Sequence, residues 1–250
     1  MKNLLIALLL MPVMRSSSAY IINGQNAFQK NSFTKGQSFI SSFGKRKRIV
    51  LADQTEVILN SNTTLWLDKN FGKENRNVRI AGDALFSIKK NSKPFVIFTP
   101  HLVIKTLKAI AKVNAYAGMA GEETLLLSGK LNIVKSYYSN LDHEPYVLKD
   151  GEMVMINKDI DLMEKETFEI NELKTWIGDT FVVKNASLNE LINKLKNWYN
   201  IDINIGGKVP GNLRFSGTFI HPGLLDILGT VSKAWKFGYQ ARENTVLWRF

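Results

Sequence analysis

The sequence predicts a mainly β amino-terminal domain followed by a small α/β domain, and three observations support this division. About ten short β-prone runs, separated by turn residues, lie between residues 46 and 158. A helix-capping signature and a helical apolar period follow at 187–198. The helical apolar pattern and the residues that flank it recur 36 residues later. We therefore expect a curled sheet or sandwich at 46–158 and two β-α-β repeats at 175–250.

Composition and charge exclude several classes of function. The chain has 250 residues and no cysteine, which removes disulfides, thiol catalysis and cysteine-based metal sites. Its formal charge is +11, but eight of the basic residues precede the first acid, Asp53, and the rest of the chain carries only +3. Because the excess charge lies mainly in the leader and the spacer, we expect no nucleic-acid binding.

The first 45 residues precede the predicted β domain. Lys2 is followed by an apolar stretch from Leu4 to Met14, which is shorter than the roughly 20 residues of a membrane helix. Small residues follow up to Ala19, so residues 1–19 are predicted to be a signal peptide or a short membrane anchor. Residues 20–45 are predicted to be a polar spacer, whose phenylalanines show too little periodicity to predict structure: Phe28, Phe33, Phe39 and Phe43.

The β domain is predicted from runs of β-prone residues. These runs lie at 48–51, 56–60, 95–99, 102–107, 112–116, 124–127, 130–135, 146–148 and 152–156. Apolar residues also alternate on both sides of Gly82 and Asp83, which we interpret as turn residues. Asp150 and Gly151 predict a hairpin turn, because glycine adopts the positive φ that such a turn requires.

Acidic residues dominate the segment that follows, and we interpret 159–174 as a linker. Beyond it, Ser187 and Glu190 have the spacing of a capping box. The apolar residues of the next turns, ending at Trp198, predict one buried helix face. We expect Trp198 to belong to the core.

The 36-residue repeat relates two strand–helix–strand patterns. Val183, Leu188, Leu191, Ile192, Leu195, Ile201 and Ile203 correspond to Phe219, Leu224, Ile227, Leu228, Val231, Phe237 and Tyr239. Pro222 fits the first turn of the second helix, and 245–250 supplies a last strand. We expect the two helices to cover one face of a single small open sheet.

Four segments of the β domain, in order, resemble the FecR family. They are 43–46 (FGKR), 51–60 (LADQTEVILN), 79–88 (RIAGDALFSI) and 93–96 (KPFV). Family members have approximately L-P-D-G-T-x-V-x-L-N, then R-x-V-x-L-x-G-E-A-x-F-x-V, then P-F-x-V. The order and spacing agree, and the resemblance covers roughly four fifths of the chain.

The carboxy-terminal region resembles the domain that follows the FecR region in many such regulators. That domain is itself similar to the short amino-terminal domain of secretins and TonB-dependent receptors. The residues that carry this resemblance are Trp176, Gly178, Phe181, Asn185, Leu188, Leu191, Leu195, Trp198 and Tyr199.

The sequence also departs from the family pattern. Ala52 and Gln54 stand where the family prefers proline and glycine, so we expect a turn type that does not need a positive φ. Residues 108–112 replace the family's G-T-x-F-N block, and we expect the fold to survive this change.

The resemblance implies a regulator that acts by protein contact. Its carboxy-terminal domain would bind the signalling domain of a TonB-dependent outer-membrane transducer. The regulator would pass the signal that the transducer is occupied toward an extracytoplasmic-function sigma factor. The resemblance implies a periplasmic protein that is either exported or tethered to the inner membrane by its amino-terminal segment. We expect membrane contact through the leader at most. A cytoplasmic sigma-binding segment precedes this region in the family, and none stands before Leu4. We therefore expect sigma-factor contact only if an upstream segment exists.

No catalytic, cofactor or metal site is predicted. The three histidines, His101, His143 and His221, lack the spacing of a metal site, and we interpret them as surface or capping residues. Ser128 and Lys130 lie in a segment that lacks the glycine and hydroxyl spacing of a phosphate loop. Asp83 aligns with a family glutamate, and we interpret it as a turn hydrogen-bonding residue.

An open sheet leaves an unpaired strand edge, and such an edge can accept a partner strand through main-chain hydrogen bonds. The candidate partner-binding residues are Leu213, Arg214, Phe215, Ser216 and Thr218. A solvated edge without a partner fits the same pattern equally well. The alternative function is a periplasmic structural or glycan-binding module that reuses the fold.

Overall fold

The computed structural model describes residues 33–139, 141, 144–242 and 244–250. Within these residues the chain forms eighteen β-strands and three α-helices. A large sheet structure precedes a small α/β region, which confirms the predicted fold class. The predicted leader at 1–19, Phe28, His143 and the part of the predicted spacer before residue 33 lie outside the described residues.

Thirteen strands build the first domain. In chain order they are β1 (Lys35–Ser41), β2 (Lys47–Val50), β3 (Glu56–Leu59), β4 (Thr63–Asp68), β5 (Arg76–Ile88), β6 (Phe95–Phe98), β7 (Leu102–Thr106), β8 (Ala109–Ala115), β9 (Gly121–Gly129), β10 (Leu131–Lys135), β11 (Tyr146–Leu148), β12 (Glu152–Asn157) and β13 (Leu162–Thr167). One layer has the order β1-β4-β5-β6-β7-β10-β11, and the other has the order β2-β3-β5-β8-β9-β12-β13. The pairs are antiparallel except β5 with β6. Each predicted β-prone run overlaps a strand of these two layers.

Strand β5 belongs to both layers and changes layer at Gly82. Its first half pairs with β4 and β6, and its second half pairs with β3 and β8. Gly82 has φ +131°, and a Cβ atom there would lie 2.4 Å from Thr63 Oγ1. Only glycine tolerates both this positive φ and the close approach of Thr63. Gly82 and Asp83 therefore form a bend within one continuous strand, and the interpretation of these residues as a turn between strands is wrong.

The core of the first domain lies between the two layers. Val57, Leu59, Val78, Phe86 and Phe95 are fully buried there. The rings of Phe86 and Phe95 meet edge to face, with their centroids 6.1 Å apart. Burying one such side chain contributes about 1.5–3 kcal/mol, so this core alone provides a large share of the driving force for folding.

The sequence pattern does not predict β1, β4 and β13. Strand β1 lies in the predicted spacer and β13 in the predicted linker, so both predictions are wrong for these residues. Each is an outer strand that pairs on one side alone, β1 with β4 and β13 with β12. Most side chains of β1 and β13 are exposed, and an exposed strand has no apolar alternation to mark it.

The turn at Asp150 and Gly151 forms as predicted, with Gly151 at φ +81°. It does not close a hairpin, however. Strand β11 pairs with β10 in one layer, whereas β12 pairs with β9 and β13 in the other. The turn therefore carries the chain from one layer to the other.

The turn between β2 and β3 differs from the expectation for Gln54. Gln54 has φ +66°, in the left-handed region that favours glycine. The sequence departs from the family glycine here, but the backbone keeps the conformation that glycine would take. The prediction of a turn without a positive φ is therefore wrong.

We expect Gln54→Gly to raise the free energy of unfolding by roughly 0.5–1 kcal/mol. The substitution removes a left-handed strain of about 1–2 kcal/mol, and the greater flexibility of glycine in the unfolded chain offsets part of this gain. Urea denaturation would measure the change. Ala52→Gly is the matched control in the same turn, because Ala52 has no positive φ, and it should give no gain. Equal effects from both substitutions would contradict the prediction.

Eight elements form the carboxy-terminal region. They are α1 (Ile170–Ile177), β14 (Thr180–Ser187), α2 (Leu188–Tyr199), β15 (Asp202–Gly206), β16 (Arg214–Ile220), α3 (Leu224–Trp235), β17 (Gly238–Arg242) and β18 (Thr245–Arg249). Helices α2 and α3 both have twelve residues, and they begin 36 residues apart. Each ends at a residue with positive φ, Asn200 and Lys236. The internal repeat is confirmed, as is the capping box of Ser187 and Glu190.

Three details of this region differ from the predictions. Its strands form two sheets, β14-β16 and β15-β18-β17, instead of one. Pro222 precedes the N-cap residue Gly223, so it stands before α3 and not in its first turn. Helix α1 occupies part of the predicted linker.

A second hydrophobic cluster fills this region and extends to the first domain. Trp198, predicted to be a core residue, is buried in it with Phe181 and Trp248. Ile58 of β3 and Leu85 of β5 belong to the same cluster. The outer face of the β2-β3-β5 layer is therefore covered by the α/β region. The domain boundaries at 45/46, 158/159 and 174/175 stay predictions.

Candidate functional site

The predicted partner-binding residues lie on or next to β16. This strand pairs antiparallel with β14 in a two-stranded sheet, from Thr180 opposite Ile220 to Ser187 opposite Arg214. No described strand pairs with its other edge. Ser216 has no partner in the register, because a bulge in β14 between Val183 and Ala186 lies opposite it. The structure therefore places an unpaired strand edge where the sequence predicts one.

The five candidate residues divide between the two faces of β16. Arg214, Ser216 and Thr218 are exposed, whereas Phe215 is buried, and Leu213 precedes the strand and packs on the second cluster. The Arg214 carbonyl accepts the Trp235 indole N–H at 3.1 Å, so it is already occupied. Ser216 Oγ accepts the amide of Asn185 at 2.8 Å. The accessible part of the edge therefore runs from Ser216 to the end of the strand.

That end of β16 is apolar and exposed. Ile220 is 71% exposed, and Leu225, in the first turn of α3, is 55% exposed. His221 lies between them in sequence, with its side chain 70% exposed. Two large apolar side chains next to an unpaired strand edge are a feature of protein-binding surfaces.

A buried arginine connects the two domains close to this surface. Arg46, one residue before β2, donates from Nη1 to Asp179 Oδ1 at 2.6 Å and to the Trp176 carbonyl at 3.0 Å. Its guanidinium carbon lies 3.7 Å from the ring centroid of Trp176 and 4.9 Å from that of Trp198. We call Arg46, Asp179, His221, Trp176 and Trp198 the Arg46 clasp.

His221 completes the clasp from the end of β16. Its Nδ1 lies 2.8 Å from Asp179 Oδ2, and its backbone amide donates to the Asp179 carbonyl at 2.8 Å. Asp179 and His221 have φ +50° and +49°, so both stand in tight turns at the end of the β14-β16 ladder. The Asp179 carboxylate therefore bridges the arginine of one domain and the histidine of the other.

Burial and pairing shift the pKa values of the two ionic partners. Burial raises the pKa of Asp179, but hydrogen bonds from His221 and Arg46 outweigh it and hold that pKa below its ordinary value. Burial lowers the pKa of Arg46, and the charge of Asp179 offsets this in part. Arg46 Nε and Nη2 are buried without a hydrogen-bond partner among the described residues. The clasp thus holds a charged guanidinium in which Nη1 donates hydrogen bonds, whereas the N–H groups of Nε and Nη2 stay unpaired.

A second polar contact joins the domains beside the clasp. Asp83 Oδ1 lies 2.8 Å from Lys112 Nζ, and Asp83 Oδ2 accepts the side-chain amide of Asn60 at 2.8 Å. The same amide donates to the Trp198 carbonyl near the end of α2 at 2.9 Å. Asp83 is 2% exposed. It is therefore a junction residue in a strand, and its interpretation as a turn hydrogen-bonding residue is wrong.

A cleft of about 990 Å³ opens next to this contact, between the sheet and α2. Asp83, Lys112, Glu123, Trp176 and Trp198 are among its lining residues. Burial raises the pKa of Glu123; Lys112 opposes this shift and the charge of Asp83 adds to it. The cleft lining contains both acidic and basic groups, so it offers no uniform charge to one class of ligand.

Sequence reasoning did not identify the clasp. Arg46 lies in the FecR-like segment 43–46, and Trp176 carries part of the carboxy-terminal resemblance, but nothing in the sequence relates residues 130 positions apart. The sequence predicts His221 to be a surface or capping residue, and its side chain is exposed. The sequence gives no sign of its hydrogen bond with Asp179. His101 is held by the Met119 carbonyl, 3.0 Å from its Nε2.

Two features are absent from the described residues. None of their helices is long and apolar enough to cross a membrane. No group of three or more potential metal ligands occurs among them.

The fold defines a class: a two-layer β domain joined through a charged junction to a repeated α/β module, in which β16 has an unpaired edge. Two family models match the sequence of this chain, "FecR protein" at residues 38–131 and "FecR, C-terminal" at 180–248. The chain belongs to the FecR family of regulators.

Solved structures agree with this fold. Two crystal structures described as a candidate anti-sigma factor from Parabacteroides distasonis, at 1.65 and 2.50 Å resolution, each have a TM-score of 0.57 and 20% identity to this chain. Each comparison covers 85% of this chain and 98% of the other. At this identity the likeness establishes the fold alone. No curated protein matches the sequence.

Proposed function

We propose that this chain is a periplasmic signal-transduction regulator whose carboxy-terminal module binds the signalling domain of a TonB-dependent outer-membrane transducer. The signal that this domain is bound would be passed on toward an extracytoplasmic-function sigma factor. Membership of the FecR family supports the proposal, as does a structural neighbour described as a candidate anti-sigma factor.

The unpaired edge of β16 carries the proposal. Ser216, Thr218 and Ile220 are exposed on a strand that pairs with β14 alone. A partner strand added there would gain main-chain hydrogen bonds, and Ile220 and Leu225 would give it apolar area to cover. The mode of binding is therefore strand addition.

The glycan-binding alternative has less support. Sugar rings commonly stack on exposed aromatic faces, but Trp176, Trp198, Trp235 and Trp248 are buried. Lys35 Nζ covers the ring of Trp66, 4.8 Å from its centroid. The tryptophans of the described residues thus provide no open stacking platform.

Binding of the soluble signalling domain, measured by calorimetry, tests the proposal. We expect Ser216→Pro to weaken binding roughly tenfold or more, the effect of losing one or two main-chain hydrogen bonds. Ser216 lies opposite a bulge, so the proline removes no registered pair with β14. Ser216→Ala keeps the backbone N–H and loses only the hydroxyl bond to Asn185, so it should bind nearly as the wild type does.

Gln37→Pro is the matched control on a different edge. Gln37 is also exposed and lies within a register irregularity of an outer strand, β1. We expect this variant to bind normally. Unchanged binding by a folded Ser216→Pro protein, or equal losses in both proline variants, would remove β16 as the docking strand.

A further inference from the structure

We infer that the Arg46 clasp couples the free edge of β16 to the turn at residues 42–46, so that a protein bound at that edge changes the placement of this turn. The inference rests on the proposed function for the identity of the bound protein. The path itself consists of contacts within the described residues, and it has three steps.

The first step leads from β16 to Asp179. Thr180 and Ile220 form the last pair of the β14-β16 ladder, and the next residue, His221, contacts Asp179 through its amide and its ring. A partner strand that pairs beyond Ser216 would lie against this end of the strand. Any shift of Ile220 and His221 would therefore move the Asp179 carboxylate.

The second step leads from Asp179 to Arg46. The ion pair is short, at 2.6 Å, but Arg46 Nε and Nη2 have no described partner. An arginine that leaves such a site regains its hydration, and this gain opposes the ion-pair and ring contacts it loses. The buried and released positions of the side chain are therefore closer in free energy than they would be for a fully bonded arginine. A displacement of Asp179 weakens the ion pair that holds the side chain and so shifts this balance toward release.

The third step joins the turn to α3 independently of Arg46. The Gly44 carbonyl accepts the amide of Leu224, the first residue of α3, at 2.8 Å. Gly44 has φ +66°, and a Cβ atom there would lie 2.7 Å from Leu224 Cβ. Phe43 packs on the second hydrophobic cluster. The turn between β1 and β2 thus contacts the carboxy-terminal module on both sides of His221, through Asp179 and through Leu224.

These contacts make residues 42–46 a part of the β domain that responds to the carboxy-terminal module. Coupling between two sites is reciprocal, so a change at Arg46 must also change the affinity of the β16 edge. Couplings of this kind commonly amount to about 5–150-fold.

Hydrogen exchange of the full chain, without any partner, tests the path. His221→Gly removes the ring that contacts Asp179 and tolerates the positive φ of this position. We expect the amides of residues 43–47 to exchange roughly tenfold faster, while the central amides of β5 and β8 keep their rates. His101→Ala removes another histidine side chain with a single main-chain contact, to Met119, and should leave 43–47 unchanged.

Two outcomes overturn the inference. In one, exchange at 43–47 stays at the wild-type rate in His221→Gly. In the other, it rises equally in His101→Ala, which indicates general destabilisation. Binding provides the second measurement: Arg46→Met should change the affinity for the transducer's signalling domain at least about fivefold. Because the exchange experiment needs no partner, its failure removes the path but leaves docking at β16 open, whereas failure of the Ser216→Pro test leaves the path intact.

Discussion

Replacing Asp179 by asparagine is expected to lower the free energy of unfolding by about 3 kcal/mol, because it leaves the buried charge of Arg46 without a carboxylate. The Arg46 side chain is 4% exposed. Asparagine is the appropriate substitution because Asp179 has φ +50°, which asparagine tolerates better than alanine. Urea denaturation at neutral pH would measure the change.

Arg46→Met is the matched control for this prediction. Methionine removes the charge and fills the space between the Trp176 and Trp198 rings with an apolar, flexible side chain. Replacing a buried ionic group by an apolar one of similar size is often close to neutral, so we expect a change below about 1.5 kcal/mol. The double variant should be more stable than Asp179→Asn alone. If it were equally destabilised, the loss would come from the turn or from His221 and not from the unpaired guanidinium.

The pH dependence of the same variants gives an independent check. The pKa of Asp179 is lowered from its ordinary value of 3.8 in the folded protein. A carboxyl group with a lowered pKa stabilises the fold fully above its unfolded pKa and loses that contribution as the pH falls through the folded pKa. The difference in stability between the wild type and Asp179→Asn should therefore narrow below about pH 4. A difference that stays constant on acidification would mean that the carboxylate charge does not carry the effect.

The parts of the fold that could be predicted are those with a local signature. The 36-residue repeat is visible because buried positions such as Leu191 and Ile227 recur at helical spacing, and both are fully buried in the structure. The capping box of α2 needs only Ser187 and Glu190, three residues apart. Local spacing fixes such elements before any tertiary contact is known.

The parts that could not be predicted depend on distant contacts or on exposure. Strands β1 and β13 are held by a single neighbour each and expose most of their side chains, so their sequences resemble loops. Asp83 looks like a turn residue beside Gly82, and only the pairing of β5 with β8 brings it next to Lys112 as a buried partner. The separation of the α/β strands into two sheets likewise follows from tertiary packing and has no local signal.

The same reasoning explains what was found of the candidate site. Partner binding at the edge of β16 stays a prediction, whereas the strand itself was predictable because its exposed and buried residues alternate. The clasp was not, because the Arg46 side chain acquires its partners only when two regions 133 residues apart in sequence meet. A charged residue in a short basic run is usually solvated, and Arg46 shows no difference in sequence from its exposed neighbours Lys45 and Lys47.

A second buried ion pair, inside the first domain, should have an even larger effect. Arg76 Nε donates to Asp53 Oδ2 at 2.6 Å, and the two side chains are 2% and 4% exposed. Arg76 also donates to the carbonyls of Lys89 and Lys93 at 2.9 and 3.1 Å, so it fastens the β2-β3 turn to both ends of the β5-β6 connection. We expect Asp53→Ala to lower the free energy of unfolding by about 3–5 kcal/mol.

Glu56→Ala is the matched control, because Glu56 lies three residues further along and pairs with Lys89 at the surface. The side chains of that pair are 43% and 50% exposed, so its loss should cost less than about 1 kcal/mol. Adding Arg76→Met to Asp53→Ala should restore part of the lost stability, since it removes the unpaired buried charge. Equal losses for Asp53→Ala and Glu56→Ala would show that burial does not set the strength of these pairs. A loss that Arg76→Met does not restore would instead come from the turn at Gln54, which Asp53 supports through its bonds to the amide and hydroxyl of Thr55 at 3.0 and 2.9 Å.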